Sequence, residues 1–472
     1  MFGRLLYFGM LLLGGVLIVS AQEVKEGLRV TFSPKGESKV LDAVVLPNVR
    51  LYVPAGEAAT PLMKPGPFTA TWSGFLTLEM RSQYAFQAES SGAVKVDLNG
   101  STVLEVAEGS KEVTPGKVVR LNKGTNQITV VFTAPASGDA FLRLYWIPKD
   151  ALPTPLPDVG FNHLPDAELL QHLAIHQGRG LFLEHRCGKC HLPGMMGDTA
   201  ELQMDAPTFS GIGSRRNFAW MRDWILDPKK QRATARMPRI FHGPEAAADA
   251  TAVAAYLASL KVESGSPSGT KGTAEQIESG KKRFEALHCA ACHTSPEESQ
   301  VDVARPSLAH VRAKFPEGEL ARFILKPEAH YAWTRMPRFK LSEAQAAELA
   351  AYLESKAVEP ATASADAGLV EKGRKLVQSS GCINCHTAEL ENQFKTKALA
   401  DIPASRWNQG CVTKSEKSPH FGFSPEQVKA LVAFAETDRE SLSRHVDREF
   451  ASRQSLNLRC VECHGKFEGF PH

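Results

Sequence analysis

The sequence predicts two kinds of structure in one chain: an N-terminal antiparallel β-sandwich, then tandem, mainly α-helical units. Three observations carry this. Residues 22–147 hold no cysteine and consist of short β-rich runs divided by turn signals. Beyond a Pro-rich stretch at 148–166, the chain becomes alanine-rich with no strand-like alternation. That second part also carries four copies of Cys-x-x-Cys-His, which absorb all but Cys411 of the nine cysteines.

Length and composition set the limits. At 472 residues the chain is too long for one core and fits about three or four domains. With 43% hydrophobic and 23% charged residues, it is neither a polytopic membrane protein nor a disordered chain. The net charge of +3, from 55 basic and 52 acidic residues, implies no general field for nucleic acid.

Residues 1–21 read as a signal peptide. Arg4 supplies the basic end, Leu5 to Val19 the apolar run, and Val19-Ser20-Ala21 the small residues before cleavage at Gln22. An uncleaved anchor is the alternative. A run of this length rises about 22 Å as helix, short of a bilayer core of about 30 Å. The mature chain is therefore expected to be periplasmic or otherwise exported, with no integral membrane span, where disulfides are permitted.

Within 22–147 the candidate strands are Leu28–Phe32, Val49–Val53, Phe75–Met80, Tyr84–Glu89, Ala93–Leu98, Gln127–Thr133 and Phe141–Ile147. Asn99-Gly100, Lys123-Gly124-Thr125-Asn126 and Ser137-Gly138-Asp139 divide them. The alternation of Ala93 to Leu98 running into Asn99-Gly100 is a hairpin signature. The stretches Phe68 to Phe75, Tyr84-Ala-Phe86, Val94 to Asp97 and Asn99-Gly100 resemble the protective-antigen-type β-sandwich. Sugar-binding members of that family hold a calcium ion on an adjacent pair of acids. Here Ser90-Ser91-Gly92 stands in the hairpin region and no acidic pair is evident. The resemblance implies a spacer or docking module, with a glycan or surface ligand as the alternative.

After the linker at 148–166, Val262–Thr273 and Ala357–Gly368 are linkers by composition. They cut the remainder into units at 167–262, 275–357 and 366–440, with 441–472 the incomplete start of a fourth. The motifs are Cys187-Gly-Lys-Cys190-His191, Cys289-Ala-Ala-Cys292-His293, Cys382-Ile-Asn-Cys385-His386 and Cys460-Val-Glu-Cys463-His464. Two thiols about one helical turn apart can form thioethers to the two vinyl groups of haem, and the next histidine then lies under the iron. Zinc would need two more ligands per cysteine pair. Disulfides would leave the repeated histidine unexplained.

The flanks repeat too. Gly178, Gly280 and Gly373 each precede the first cysteine by the same interval, with Phe182, Phe284 and Val377 one turn later. A glycine there suits a close crossing of two helices. The fourth copy has Ala451 instead. Pro207 and Pro306 stand at the same interval from Met237 and Met336, each within Arg-Met-Pro-Arg, and an Ala-rich helix with Tyr256 or Tyr352 follows. This order resembles the class I cytochrome c fold across residues 167–440. The resemblance implies haem c at four sites, bound by Cys187, Cys190, Cys289, Cys292, Cys382, Cys385, Cys460 and Cys463. It implies His191, His293, His386 and His464 as proximal ligands, and Met237 and Met336 as thioether ligands. Arg236 and Arg335 are candidates for haem propionates.

In the third unit Ser418-Pro419-His420-Phe421 aligns with Met336-Pro337-Arg338-Phe339. The thioether is missing, so His420, an open position or a ligand from elsewhere in the chain is expected at the third iron. Cys411 reads as a buried small hydrophobe. His464 stands eight residues before the end of the sequence, so a fragment, or a ligand such as His472 borrowed from elsewhere, is expected. The function expected is electron transfer with redox partner proteins, without catalytic residues. The alternatives are a peroxidase-like enzyme at an open third haem, and a surface-binding protein with a redox arm.

Overall fold

The computed structural model describes residues 23–460, apart from 111–112, 114, 158–159, 193–199, 263–271, 299–301, 304, 360–364, 414 and 416–417. The expected signal peptide, Cys463 and His464 lie outside the described residues.

Two antiparallel sheets form the N-terminal region. The eight-stranded sheet contains β1 (Lys25–Glu26), β2 (Leu28–Pro34), β3 (Asp42–Leu46), β5 (Phe68–Leu78), β7 (Ala93–Leu98), β8 (Ser101–Val106), β10 (Gly124–Thr133) and β13 (Phe161–His163). The five-stranded sheet contains β4 (Arg50–Val53), β6 (Ser82–Ser90), β9 (Val119–Leu121), β11 (Ala140–Pro148) and β12 (Thr154–Pro155). Period-2 alternation builds the core between them: Val94, Val96 and Leu98 point inward from β7, and Leu142 and Leu144 from β11. Trp72 is fully buried there, and its indole N–H donates to the Asn48 carbonyl at 3.2 Å. The β7–β8 hairpin turns at Asn99 (φ 48°) and Gly100 (φ 79°), both left-handed, as the Asn-Gly pair predicts.

The stretch expected to be a linker, 148–166, supplies two strands. Tyr145 pairs with Pro155, and Phe161 pairs with Leu76 of β5. Proline survives at Pro155 because β12 lies at the edge of its sheet. Phe161 and His163 are buried where the sheet continues. Gly74 lies where β5 passes from β2 to β13, and a Cβ there would collide with the Asn162 carbonyl.

The longer helices are α1 (Ala167–Glu184), α2 (Phe218–Leu226), α3 (Ala246–Ser259), α4 (Ala274–Ala286), α5 (Glu319–Leu325), α6 (Glu343–Lys356), α7 (Val370–Ser379), α8 (Pro425–Ala435) and α9 (Asp447–Asn457). Capping boxes start three of them: Thr273 with Gln276, Ser342 with Gln345, and Ser424 with Gln427.

Helix pairing departs from sequence order. Within 275–357, α4 packs on α6. The segments 167–262 and 366–440, expected to be self-contained, are interleaved: α1 packs on α8, and α7 packs on α3. The glycine pattern is satisfied three times by the same contact. A Cβ on Gly178 would collide with the Ala430 carbonyl, on Gly280 with Glu348, and on Gly373 with Ala252. Phe434, Tyr352 or Tyr256 stands beside the respective glycine. Such an exchange replaces each contact by its equivalent and costs little.

The sandwich docks on α1. Asp42 is fully buried, with its carboxylate 2.7 Å from His176 Nε2 and 3.5 Å from His172 Nδ1. Arg29 pairs with Asp166 and Glu168, and Arg444 donates to the Pro61 carbonyl at 2.9 Å.

Candidate functional site

Each of the first three motifs forms one tight turn. The histidine amide donates to the carbonyl of the first cysteine, at 3.1 Å for His191, 3.0 Å for His293 and 2.9 Å for His386. The residue before each motif is left-handed: Arg186 (φ 56°), His288 (φ 52°) and Gly381 (φ 85°). A side chain in that conformation is unfavourable by about 1 kcal/mol or more, yet Arg459 (φ 58°) repeats it before Cys460. The fourth motif also begins like the first: the Cys460 amide bonds the Ser455 carbonyl as the Cys187 amide bonds that of Phe182, both at 3.1 Å.

A carbonyl oxygen anchors each histidine. Nδ1 lies 2.8 Å from Lys397 O in His191, 3.2 Å from Pro306 O in His293 and 2.7 Å from Pro207 O in His386. A carbonyl only accepts, so Nδ1 carries the proton and Nε2 keeps its lone pair for a metal. Burial pushes the thiols up: Cys190 and Cys382 to about 12, Cys289 to about 11. They are protonated at neutral pH.

All three motifs open on one continuous cavity of about 1980 Å³. Both cysteines and the histidine of each motif line it, as do Met237, Met336, Cys411 and Ser418. Cys385 is close enough to raise the Cys187 and Cys190 thiols further, after burial itself. The first and third motifs are therefore neighbours.

Three apolar clusters assign the loops. Phe284, Val311 and Leu349 form one with Cys289 and Met336 packed on it. Phe209, Met221, Val253 and Val377 form a second, with Met237 and Cys382 packed on it. Phe182, Trp407, Leu431 and Phe434 form a third, with Cys187, Val412 and Phe423 packed on it. Met237 thus shares a cluster with the third motif, and the indole N–H of Trp224 donates to its sulfur at 3.1 Å.

His420, expected at the third iron, is not among the residues that line the cavity. Its backbone pairs antiparallel with Arg239, at 2.8 and 2.9 Å, so the two Pro-containing loops meet edge to edge. Its loop also carries Phe423, which belongs to the cluster of the first motif. Arg236 and Arg335 both hydrogen-bond Asn457 at the end of α9, which itself lines the cavity.

Four cations face the same cavity: the buried Arg215 and the half-buried Arg216, Arg232 and Lys314. Burial, then the neighbouring cations, draws Lys314 well below the usual lysine value. Arg216 lies 4.4 Å above the Phe315 ring and Arg232 5.4 Å above Trp224. The Nε of Arg215, the Nε of Arg232 and the indole N–H of Trp407 are buried without partners. Sequence reasoning missed these groups, because a lone Arg or Lys reads as a solvated face. His185 was missed too. It packs against Phe421 and Phe423, and burial, aided by Lys229 and Arg236, pushes it down to about 4.

Residues 175–261 and 277–357 each match the cytochrome c family. The chain therefore carries tandem cytochrome c segments, and that family implies covalently bound haem c as the cofactor. The residues present fit it: paired thiols, a histidine with Nε2 free, and orphaned buried cations suited to anionic propionates. No curated protein matches the chain. Among solved structures, an anti-sigma factor domain-containing protein from Clostridium clariflavum is 13% identical, with a TM-score of 0.27 over 30% of this chain; the match spans 48% of that protein, about half its length. The PA14 sugar-binding domain of an RTX adhesin is 15% identical, with a TM-score of 0.26 over 29% of this chain and 98% of its own. The PA14 domain of the antifreeze protein MpAFP is 12% identical, with a TM-score of 0.27 over 30% and 94%.

Proposed function

We propose that this protein is an exported multihaem c-type cytochrome that relays electrons between redox partner proteins. Haem c, when bound, supplies the reversible Fe(III)/Fe(II) couple. The cysteine pairs of all four motifs hold it, and His191, His293, His386 and His464 are the proximal ligands. Met237 and Met336 supply soft thioethers, which favour Fe(II). Arg215, Arg232 and Lys314 would neutralise the haem propionates and give the chamber a positively charged lining. One observation carries the reading: three motif histidines, each oriented by a carbonyl at Nδ1, face a single chamber with their cysteine pairs.

The test is expression with a haem-ligation system, followed by intact mass, pyridine haemochrome quantitation and a redox titration. Four covalent haems per chain are expected. A chain without covalent haem would overturn the reading.

A second reading is favoured by Ser418 on the cavity wall, at the position Met237 and Met336 take in their loops. An iron opposite a serine would be open to small ligands, which suits peroxidase-like chemistry. Binding of cyanide or carbon monoxide by the untreated protein supports it. The β-sandwich is proposed as a docking module, with a glycan as its alternative ligand.

A further inference from the structure

We infer that Met237 completes the iron site of Cys382, Cys385 and His386, and that the site of Cys187, Cys190 and His191 faces Ser418 instead. The inference rests on the haem c reading above and assigns ligands across the interleaved segments. In sequence order, Met237 belongs to the first motif and Ser418 to the third. The structure reverses both.

The unit at 275–357 serves as the internal standard, because its motif, loop and helices are contiguous. There the Pro306 carbonyl holds His293 Nδ1, Met336 packs with Cys289, and Gly280 of α4 crosses α6 beside Tyr352. The same relations recur around His386, but one partner of each comes from the earlier segment. The Pro207 carbonyl holds His386 Nδ1, Met237 packs with Cys382, and Gly373 of α7 crosses α3 beside Tyr256. Pro207 precedes Met237 by the interval that separates Pro306 from Met336. Strand-like links match as well: the Phe209 amide donates to the Thr387 carbonyl as the Leu308 amide donates to that of Thr294, both at 3.0 Å. Phe209 stacks on the His386 ring at 4.4 Å, sealing the segment against that motif.

The complementary half is built from the later segment. Lys397 holds His191 Nδ1, Gly178 of α1 crosses α8 beside Phe434, and Trp407 stacks on Phe182 at 5.9 Å. The loop through Ser418 continues into Phe423, which packs on the same cluster as Cys187. The two exchanged sites meet where Arg239 pairs with His420, and where His242 Nε2 lies 2.9 Å from the Ser418 carbonyl. The chain thus builds two dissimilar redox sites, each from residues of both segments. The thioether-poor site is the first motif's, not the third's.

The experiment uses the full chain with one attachment pair removed at a time. The readout is the weak far-red band of Fe(III)–thioether ligation, with intact mass reporting haem count. Wild type should carry this band from two sites, those of Met237 and Met336. Cys382→Ser with Cys385→Ser should remove one site's share. Cys187→Ser with Cys190→Ser should leave the band whole. The opposite pattern overturns the inference, as does a Met237→Ala variant that keeps full intensity. Because losses can follow from misfolding, Ser418→Met supplies a gain. It should add one site's share of the band in wild type and in the Cys382/Cys385 variant, and none in the Cys187/Cys190 variant. A gain that survives only when Cys187 and Cys190 are removed overturns the assignment. Absence of covalent haem from every variant would instead overturn the function on which it rests.

Discussion

His386 Nδ1 lies 2.7 Å from the carbonyl oxygen of Pro207, 179 positions away along the chain. In the contiguous unit the equivalent pair, His293 and Pro306, is separated by 13. The same local chemistry is therefore met once within a segment and once between segments. Autonomy should differ accordingly. Residues 272–359 expressed alone should take up haem and melt cooperatively. Residues 366–440 alone should not, because α7 would lack α3 and His386 would lack its carbonyl. Co-expression with residues 160–262 should restore haem uptake, read by absorbance and mass. Cooperative folding of 366–440 by itself would count against the interleaved packing.

Gly178 and Gly180 lie two residues apart on α1 and should respond oppositely to alanine. A Cβ at Gly178 meets the Ala430 carbonyl, so α1 and α8 must separate. Overpacking of this kind costs about 1–3 kcal/mol. At Gly180 the nearest atom is Arg453 Cδ at 3.6 Å, ordinary contact. Alanine there should be neutral or should stabilise by up to about 1 kcal/mol through helix propensity. Thermal unfolding of the two variants checks this. Equal losses would mean that the crossing is not the reason for the glycine.

Much of this was legible beforehand, for identifiable reasons. Ala93 to Gly100 declared a hairpin because alternation and a left-handed turn pair coincide there. Gly178, Gly280 and Gly373 declared three helix crossings because a carbonyl tolerates no Cβ beside it. Which helix each one crosses was not legible. All three segments carry nearly the same pattern, so α7 fits α3 as well as it fits α8, and only the connections decide. The left-handed Arg186, His288 and Arg459 gave no sign either, since glycine marks that conformation only at Gly381. The loop of His420 is in register with that of Met336, and register alone does not say which motif a loop meets. The Pro-rich stretch hid β13 because three residues are too few for a period to register.

The docking of the sandwich on α1 should depend on pH. Burial alone would raise the Asp42 carboxyl, but the charge and hydrogen bond of His176 hold it below its ordinary 3.8, with Thr60 and His172 assisting. Burial alone would lower His176, but Asp42 and then Glu449 outweigh it and raise the imidazole above 6.5. His172 is lowered by burial, against Asp42. A raised imidazole stabilises the fold below its unfolded pKa, and that stability is lost as pH rises through the folded value. A depressed carboxyl stabilises above its unfolded pKa and is lost as pH falls through the folded one. The Asp42–His176 pair is therefore firmest between about pH 4 and 6.5, with the lowered His172 working against it as pH falls within that window. It should weaken as pH rises beyond that window and again in strong acid. Melting temperature against pH should decline on the alkaline side in wild type. His176→Gln should flatten that decline; an unchanged profile would remove the pair as its cause.

Lys314 should set the potential at the second motif. It lines the cavity among Trp220, Phe315 and Phe323, has Arg216 and Arg232 as like-charged neighbours, and lies close enough to His293 to add to the lowering that burial chiefly imposes on that imidazole. A cation held there without a carboxylate partner needs an anion, and a propionate is the anion this site would receive. Oxidation adds positive charge at the iron, so a nearby cation opposes oxidation and keeps the potential high. Lys314→Met keeps the side chain's length and removes its charge. The oxidised form then gains about 1–2 kcal/mol if the charges act over about 10 Å at an effective dielectric constant of about 20. For one electron that lowers the potential by tens of millivolts, since 59 mV is a factor of ten. Lys372→Met is the control, because Lys372 is exposed, pairs with Asp249 at 2.8 Å and is not among the residues that line the cavity. Salt screens that surface pair and leaves the half-buried cation's effect largely intact. The titration should therefore show a fall for Lys314→Met that persists at high ionic strength, with no change for Lys372→Met. A potential that stays fixed or rises in the Lys314 variant would mean that this cation is not paired with the prosthetic group's charge.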